Sequence, residues 1–480
     1  MKVRQILIFV VVVIAMLGLL MWVFPRDGIK IGKDFVLHFP TFSEFFAAKQ
    51  PEIDIDSLIS VQFDIDEIEE DEELSFLDID ELKKMVTSLE FPEENENALD
   101  VFFEKLNNID DLGKLRIMHY GDSQIEGDRI TAFFRSRLQN KFGGYGMGLN
   151  TVGALYSQFS IVQTNSDNWK RYQGFIGTEK VRDKKYGAMI SFSRFSPMLD
   201  SADMPGEDLY TAWIDFKKSD IAYANTKQFK KVRLFYSNAK SPTQITLYSN
   251  EVVLLIDSLY AGEDLYEFTY QSPDFIENIR LELESYDSPD FYAISFEGDE
   301  GIFIDNIAMR GSSGTVFSTN DVDLLSQMYS KLGVDLFILQ FGGNVVPYIK
   351  DKEAAKRHAN NFASHIFLLR RLVPDACVIV IGPSDMSTKD KEDYITYPIL
   401  PDIVDALRDA SHRAGAVYWD MFTAMGGENS MVAWVNASPQ LAGQDYTHFT
   451  PNGTSVIANM FYNAFILEYN SYIERNKTKE

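Results

Sequence analysis

The arrangement of strand–turn–helix units constrains the fold of this 480-residue chain more than any other feature of its sequence. The first unit combines the apolar segment 114–121, which ends at a glycine, with the segment 128–142, where apolar residues recur at helical spacing. Similar strands and helices recur only late in the chain, at 301–311, 334–344, 351–372, 376–383, 402–414, 416–421 and 451–472. Alternating strands and helices predict a parallel sheet that is covered on both faces, so we expect a three-layer α/β/α domain.

The residues between the first unit and the later ones follow a different pattern. Segments such as VRLFYS, TQITLYS and IRLELES are short, closely spaced and separated by turn residues, with little helical periodicity. This pattern is typical of an antiparallel β-sandwich. We therefore predict that a β-sandwich insert at 165–300 interrupts the α/β domain, which then comprises 97–164 and 301–475.

The N-terminus carries an uncharged apolar stretch from Ile6 to Phe24, preceded by Lys2 and Arg4. Nineteen apolar residues are enough to cross a membrane as a helix, whereas a cleavable signal peptide has a shorter apolar region followed by a small-x-small site, which this stretch lacks. We therefore predict that 6–24 is an uncleaved transmembrane anchor rather than a removed signal peptide. The larger C-terminal part is then expected outside the cytoplasm, for example in a periplasm.

The net charge of -26 is concentrated in one segment. Residues 51–100 contain 19 Asp and Glu residues, with only Lys83 and Lys84 as basic residues. Self-repulsion at this density predicts an extended acidic spacer at 27–96, next to the membrane anchor. A nucleic-acid-binding protein needs a basic surface to neutralise phosphates, so we do not expect a nucleic-acid partner.

The first predicted strand ends in the turn Gly121-Asp122-Ser123. In open α/β sheets, ligands bind beyond the carboxyl ends of the strands, and a serine there lies at the start of the next helix, where backbone N–H groups can stabilise an oxyanion. Ser123 is therefore a candidate nucleophile. A serine that only caps a turn would have the same position, so the assignment of a nucleophile depends on finding the other catalytic residues.

A serine nucleophile needs a base and a group that orients the base. Asp445 and His448 lie three residues apart on one predicted loop, directly before the last helix. The carboxylate can then contact one imidazole nitrogen and leave the other nitrogen for the serine hydroxyl. This spacing is common by chance. The two residues lie near the predicted functional edge of the sheet, however, and this position supports a catalytic role for them.

Two further turns at strand ends contain residues suited to an oxyanion hole. Asn344 ends the segment 334–344, and Gly311 ends the segment 301–311. A side-chain amide and a backbone N–H at the same sheet edge can both donate to an oxyanion. Ordinary turns also favour Gly and Asn. The joint occurrence of candidate catalytic and oxyanion-hole residues at four strand ends is much less common by chance, and this supports each assignment.

Taken in order, these four turns resemble the four sequence blocks of the SGNH/GDSL hydrolase superfamily. The resemblance implies an SGNH-type fold with a Ser-His-Asp triad, in which Ser123 is the nucleophile, His448 is the general base and acid, and Asp445 orients His448. It also implies an oxyanion hole formed by the backbone N–H groups of Ser123 and Gly311 and by the side chain of Asn344.

The resemblance covers roughly 113–160 and 300–472. Segments such as GDSQIEGDR and DYTHFTPNG look most like membrane-associated or periplasmic peptidoglycan O-acetylesterases, whose catalytic domain is interrupted by a carbohydrate-binding-like β-sandwich. One block departs from the family pattern, because Met309 and Arg310 precede its glycine without the usual asparagine.

The resemblance implies a serine esterase that removes O-acetyl groups from a cell-envelope polysaccharide, with peptidoglycan as the first candidate. A polysaccharide O-acetyltransferase with a membrane-bound acyltransferase partner would use the same triad, and a non-catalytic glycan-binding surface protein is a third interpretation. The insert is then a candidate carbohydrate-binding module. We expect no cofactor and no metal site, because the sequence lacks H-E-x-x-H and the calcium-loop spacing D-x-D-x-D-G.

Overall fold

The computed structural model describes residues 3–25, 29–30, 36–37, 39, 79–153, 157–176, 181–200 and 203–477. The α-helices in this part of the chain, α1 to α11 in order, are Val3–Val23, Ile79–Lys84, Asp100–Asn107, Ile109–Leu112, Arg129–Phe142, Val322–Leu332, Lys352–Leu372, Leu400–Arg413, Met421–Ala424, Ser430–Asn436 and Pro451–Lys477. Its short 3-10 helices are Ser123–Asp128, Ala224–Lys227, Phe317–Thr319 and Gly343–Val345. Its strands, β1 to β20 in order, are Ile29–Lys30, Val36–Leu37, Lys114–Gly121, Gly148–Asn150, Ile161–Asn165, Lys170–Gln173, Ser191–Arg194, Tyr210–Lys218, Phe229–Ser237, Thr243–Ser249, Val252–Leu259, Tyr266–Ile276, Asn278–Ser285, Asp290–Glu297, Gly301–Ala308, Leu336–Gln340, Cys377–Ile381, Ser387–Asp390, Asp393–Thr396 and Val417–Trp419.

A five-stranded parallel sheet in the order β15-β3-β16-β17-β20 forms the centre of the α/β part. Strands β16 and β17 are buried throughout and are apolar except for Gln340 at the end of β16, as expected for strands that are covered on both faces. Alternate side chains of β3 enter different hydrophobic clusters. Met118 and Tyr120 share a cluster with α6, α7 and α8, whereas Leu115 and Ile117 share one with α3, α5 and α11. The predicted α/β fold with a parallel sheet is therefore confirmed.

The strands between residues 148 and 297 form two antiparallel sheets. One has the order β11-β10-β13-β8-β5, and the other has the order β12-β9-β14-β7-β6 with β4 paired to β14. Apolar side chains of both sheets form one hydrophobic cluster, in which the ring centroids of Phe216 and Phe296 lie 4.9 Å apart. Strand β4 and most of β5 precede residue 165, so antiparallel pairing begins before the predicted boundary of the insert.

The C-terminal end of the predicted acidic spacer packs on the α/β part. Leu82 and Leu89 are buried in the hydrophobic cluster that contains α11. Glu90 forms an antiparallel backbone bridge with Tyr418 of β20, in which the two N–H groups donate to the opposite carbonyls at 2.7 and 2.9 Å. Residues 79–96 thus contribute to the packed part, whereas 40–78 of the predicted spacer lie outside the described residues.

Helix α1 contains almost all of the predicted membrane anchor. An 18-residue window within Arg4–Val23 has a mean hydropathy of 3.2. The 21 residues of α1 correspond to about 32 Å of helix, which is enough to cross a hydrocarbon core. A signal sequence can meet the same length and composition test, so the anchor stays a prediction.

Candidate active site

The turn after β3 brings Ser123 to the carboxyl edge of the parallel sheet. Gly121 permits this close turn, because a Cβ there would lie only 2.9 Å from the Ile125 side chain. Asp122 accepts a hydrogen bond at 3.0 Å from the Gln124 N–H and thereby caps the 3-10 helix that begins at Ser123. The candidate nucleophile is therefore fixed at the first residue of a helical turn.

The residues predicted to form a triad lie in a hydrogen-bonded series. Ser123 Oγ is 2.8 Å from His448 Nε2, and His448 Nδ1 is 2.7 Å from Asp445 Oδ2. Because an ionised Asp445 only accepts hydrogen bonds, it favours the tautomer with a proton on Nδ1 and a lone pair on Nε2. That lone pair faces the serine hydroxyl, so the arrangement can remove the proton from Ser123.

Asp445 also holds the loop that carries His448. Its Oδ1 accepts the backbone N–H groups of Thr447 and His448, both at 3.1 Å. Partial burial acts to raise the pKa of Asp445, but hydrogen bonds from the His448 ring and from these two N–H groups outweigh burial and lower that pKa below its ordinary value. The carboxylate therefore stays ionised at neutral pH.

Stacking of Tyr446 further shapes this loop. Tyr446 adopts a φ of 53°, in the left-handed region that residues other than glycine rarely occupy. Its ring stacks on Tyr394 of β19, with centroids 3.7 Å apart and planes 8° from parallel. The Gly443 N–H donates to the His448 carbonyl at 2.8 Å and closes the loop. These contacts oppose the backbone strain and limit the directions available to His448.

A cavity of about 250 Å³ lies beside the candidate nucleophile. The structure brings Ser123, His448, Gly311 and Asn344 together in its lining, whereas Asp445 lies behind the imidazole. The other lining residues are Asp122, Gln124, Arg310, Gln340, Phe341, Gly343, Pro347, Tyr348, Gly382, Pro383, Ser384, Met386, Met421 and Thr447. A cavity of this size admits a small ester group next to the serine.

The predicted oxyanion donors differ in their present partners. The backbone N–H groups of Ser123 and Gly311 donate to no other group in the described part of the chain. The Asn344 side chain is engaged, because its Nδ2 donates to Asp122 Oδ2 and to the Ser312 carbonyl oxygen, both at 3.1 Å. An amide nitrogen carries two hydrogens, so Asn344 must open or share one of these bonds to bind an oxyanion.

Two residues next to the nucleophile connect parts of the site in ways that the sequence pattern does not indicate. Asp122 is buried, and burial raises its pKa to about 6, although hydrogen bonds from Gln124 and Asn344 lower it in part. Gln124 is also buried, and its Nε2 donates to the Thr447 carbonyl oxygen at 2.7 Å. Both residues flank Ser123 in the sequence, which is the only local signal that could have identified them.

Other reactive side chains have structural surroundings. Cys377 is buried in β17, where burial raises its pKa to about 11, so its thiol is protonated at neutral pH. His119 in β3 is buried between Gln340 and Thr131, and burial lowers its pKa to about 3. Among the described residues, no group of three or more His, Cys, Asp or Glu side chains is arranged to hold a metal ion.

Comparisons with known proteins support the fold. No protein-family model and no curated protein sequence matches the chain. A solved structure of a peptidoglycan O-acetylesterase is 20% identical in sequence, with a TM-score of 0.60 over 77% of this chain and 96% of that chain. This similarity confirms the predicted SGNH-hydrolase type of fold.

Two other solved structures are more distant. A GDSL-like lipase from Bacteroides ovatus is 10% identical, covers 63% of this chain and 96% of its own, and has a TM-score of 0.25. A family two carbohydrate esterase from Cellvibrio japonicus is 8% identical, covers 64% of this chain and 99% of its own, and has a TM-score of 0.24. TM-scores this low indicate neither a shared fold nor a shared function.

Proposed function

We propose that this protein is a serine esterase that removes O-acetyl groups from a cell-envelope polysaccharide, with peptidoglycan as the first substrate to test. The observation that carries the proposal is the hydrogen-bonded series from Ser123 Oγ through the His448 ring to Asp445, with distances of 2.8 and 2.7 Å. The fold shared with a peptidoglycan O-acetylesterase supports the choice of reaction and substrate.

In the first half of the proposed reaction, Ser123 Oγ attacks the acetyl carbonyl carbon while His448 Nε2 accepts the serine proton. The negative charge that forms on the carbonyl oxygen is stabilised by the N–H groups of Ser123 and Gly311. Asn344 joins them once one of its present hydrogen bonds opens. His448 then gives the proton to the sugar oxygen as the ester C–O bond breaks, which leaves an acetyl group on Ser123.

In the second half, a water molecule attacks the acetyl carbon and passes a proton to His448. The same oxyanion donors stabilise the second tetrahedral intermediate. When this intermediate collapses, His448 returns the proton to Ser123 Oγ and acetate leaves. Asp445 stabilises the imidazolium that forms in both halves, which agrees with a carboxylate that stays ionised at neutral pH.

The proposal also assigns roles to the other parts of the chain. The two antiparallel sheets, which share one hydrophobic cluster, act as a β-sandwich insert that helps to bind the glycan. The apolar helix α1 anchors the exported enzyme in the membrane, a role that the mean hydropathy of 3.2 over an 18-residue window of this helix supports. A membrane-bound acyltransferase is the partner expected if acetyl groups are transferred rather than hydrolysed.

The test is a paired acetate-release assay with the full-length protein in detergent. Wild type should release acetate from p-nitrophenyl acetate and from O-acetylated peptidoglycan. Ser123→Ala should lower kcat by roughly a thousandfold or more. Ser330→Ala, which changes an exposed serine of α6 away from the cavity, is the matched control and should retain wild-type rates.

Other outcomes of this assay would redirect the proposal. Equal and negligible acetate release by wild type and Ser123→Ala on every ester would rule out the esterase. Acetyl transfer to an oligosaccharide at a higher rate than hydrolysis would identify an O-acetyltransferase. Glycan binding without either reaction would identify a non-catalytic binding protein.

A further inference from the structure

Arg310 is the one lining residue with a permanent positive charge among the described residues around the active-site cavity. It directly precedes Gly311, whose N–H is a proposed oxyanion donor. It also lies in the sequence block that departs from the SGNH pattern. Its side chain is 74% exposed, so the guanidinium group is open to solvent where a substrate would enter.

The present partner of Arg310 is a carboxylate. Arg310 Nη1 lies 3.5 Å from Glu126 Oε2, and the Glu126 side chain is 22% exposed. An ion pair between groups this accessible stabilises a protein by about 0–1 kcal/mol, so a substrate carboxylate can replace Glu126 or join it at little cost. A guanidinium carries five N–H donors, and a single contact of 3.5 Å leaves most of them available.

The positive charge of Arg310 at the cavity contrasts with the net negative charge of the whole chain. A net charge of -26 repels an anionic glycan at long range. At physiological ionic strength the Debye length is about 8 Å, so local charges dominate once the glycan reaches the cavity. A single exposed arginine at the cavity can therefore attract a carboxylate group, although the net negative charge of the molecule repels it.

We propose that Arg310 makes the enzyme selective for acetylated sugars that carry a carboxylate close to the ester. This inference rests on the proposed esterase function and names the substrate class of the same site. Arg310 binds the carboxylate through paired N–H donors, a geometry that guanidinium and carboxylate groups share. Because Gly311 is the adjacent residue, the carboxylate and the ester oxyanion are held by neighbouring groups of one turn.

The experiment compares two glycans that differ in the carboxylate alone. The first is an O-acetylated oligogalacturonate, and the second is the same oligosaccharide with its carboxyl groups reduced to alcohols. Wild-type protein should have the higher kcat/KM on the acidic glycan. Arg310→Ala should lower the acidic-to-neutral ratio of kcat/KM roughly twofold to fivefold, and Arg310→Lys should give an intermediate ratio because an ammonium lacks the paired geometry. Arg371→Ala, an exposed arginine of α7 outside the cavity, should keep the wild-type ratio.

Binding to the Ser123→Ala protein separates this inference from the esterase proposal. That protein should bind the acidic oligosaccharide with a lower Kd than the neutral one, and the added Arg310→Ala change should remove the difference whether or not wild type releases acetate. Equal Kd values for the two glycans would overturn the inference. So would an acidic-to-neutral ratio that Arg310→Ala leaves unchanged.

Discussion

The Asp445 carboxylate has two tasks, because one oxygen faces the His448 ring and the other accepts the two N–H groups of the loop. Asp445→Asn separates these tasks, since an amide keeps the shape but can present an N–H to Nδ1 and stabilise the wrong tautomer. We expect kcat on p-nitrophenyl acetate to fall by roughly a thousandfold to ten-thousandfold, with a small change in KM. Asp409→Asn on the exposed face of α8 is the matched control. A loss of less than tenfold would contradict the orienting role.

Asp122 lies buried beside the nucleophile with a pKa raised by burial to about 6, compared with an ordinary value of 3.8. Because the folded-state pKa is the higher one, the stabilising effect of the neutral carboxyl is fully present below pH 3.8 and is lost as the pH rises through about 6. A shift of this size corresponds to about 3 kcal/mol. Asp122→Asn removes the titration, so its unfolding free energy should decrease less between pH 4 and pH 8 than that of wild type, by about 2 kcal/mol.

Urea denaturation of wild type and Asp122→Asn at the two pH values measures this difference. Asp409→Asn again serves as the control, and its unfolding free energy should follow the wild-type curve. Parallel curves for wild type and Asp122→Asn would show that Asp122 does not titrate with a raised pKa in the folded protein.

At the level of elements, Gln124 joins the 3-10 helix after β3 to the loop that carries His448. Its Nε2 donates to the Thr447 carbonyl oxygen at 2.7 Å. Gln124→Leu keeps the volume but removes the donor, so the His448 loop loses a fixed point and the carbonyl loses a buried partner. We expect kcat to fall tenfold or more while KM for a small acetyl ester changes little, because the loss affects alignment rather than binding.

Gln158→Leu is a matched control for this prediction. Gln158 Nε2 also makes a bond of 2.7 Å, to Asn150 Oδ1, but neither residue lines the cavity. Comparable kcat values for Gln124→Leu and the control would exclude a positioning role. A rise in KM without a fall in kcat would place Gln124 in substrate binding instead.

The same contacts explain how far the sequence could predict the structure. The element at 114–121 is signalled by its own residues, and the structure has a strand with the same bounds. Asp445 and His448 could be paired because their contact spans three positions on one loop. The contact between Gln124 and Thr447 joins residues 323 positions apart, and no local pattern records which turn meets which loop. The hydrogen bond between Asn344 and Asp122 could not be predicted for the same reason, since 222 positions separate these residues.

At the scale of the whole molecule, a buried ionic cluster connects the antiparallel sheets to the parallel one. Arg116 of β3 forms ion pairs with Glu297 of β14 and with Asp305 of β15, and all three side chains are buried. Burial acts to raise the pKa of Glu297, but Arg116 and Arg233 outweigh burial and lower that pKa to about 2. Glu297 therefore stays ionised at neutral pH. The Arg116–Glu297 ion pair joins β14, the last strand of the two large antiparallel sheets, to β3 of the parallel sheet.

Some residues of the acidic segment 51–100 also belong to the packed part of the molecule, although the composition of this segment does not predict it. Leu82 and Leu89 are buried, and the Trp419 indole N–H donates to the Thr87 carbonyl oxygen at 2.9 Å. A fragment that begins at residue 79 should therefore fold and retain the proposed esterase activity. A fragment that begins at residue 97 exposes the surface under both leucines and leaves the buried Trp419 N–H without its partner. We expect its unfolding free energy to be lower by at least about 3 kcal/mol.

Urea denaturation of the fragments 79–480 and 97–480 measures this difference directly. Leu89→Ala within the longer fragment tests the packing alone and should cost about 2–5 kcal/mol, because a buried leucine leaves a cavity when truncated. Leu112→Ala, at an exposed leucine 55% accessible in α4, is the matched control and should have little effect. If the two fragments unfold at the same urea concentration, residues 79–96 rest on the surface without stabilising it, and the acidic spacer extends to residue 96 as its composition alone predicts.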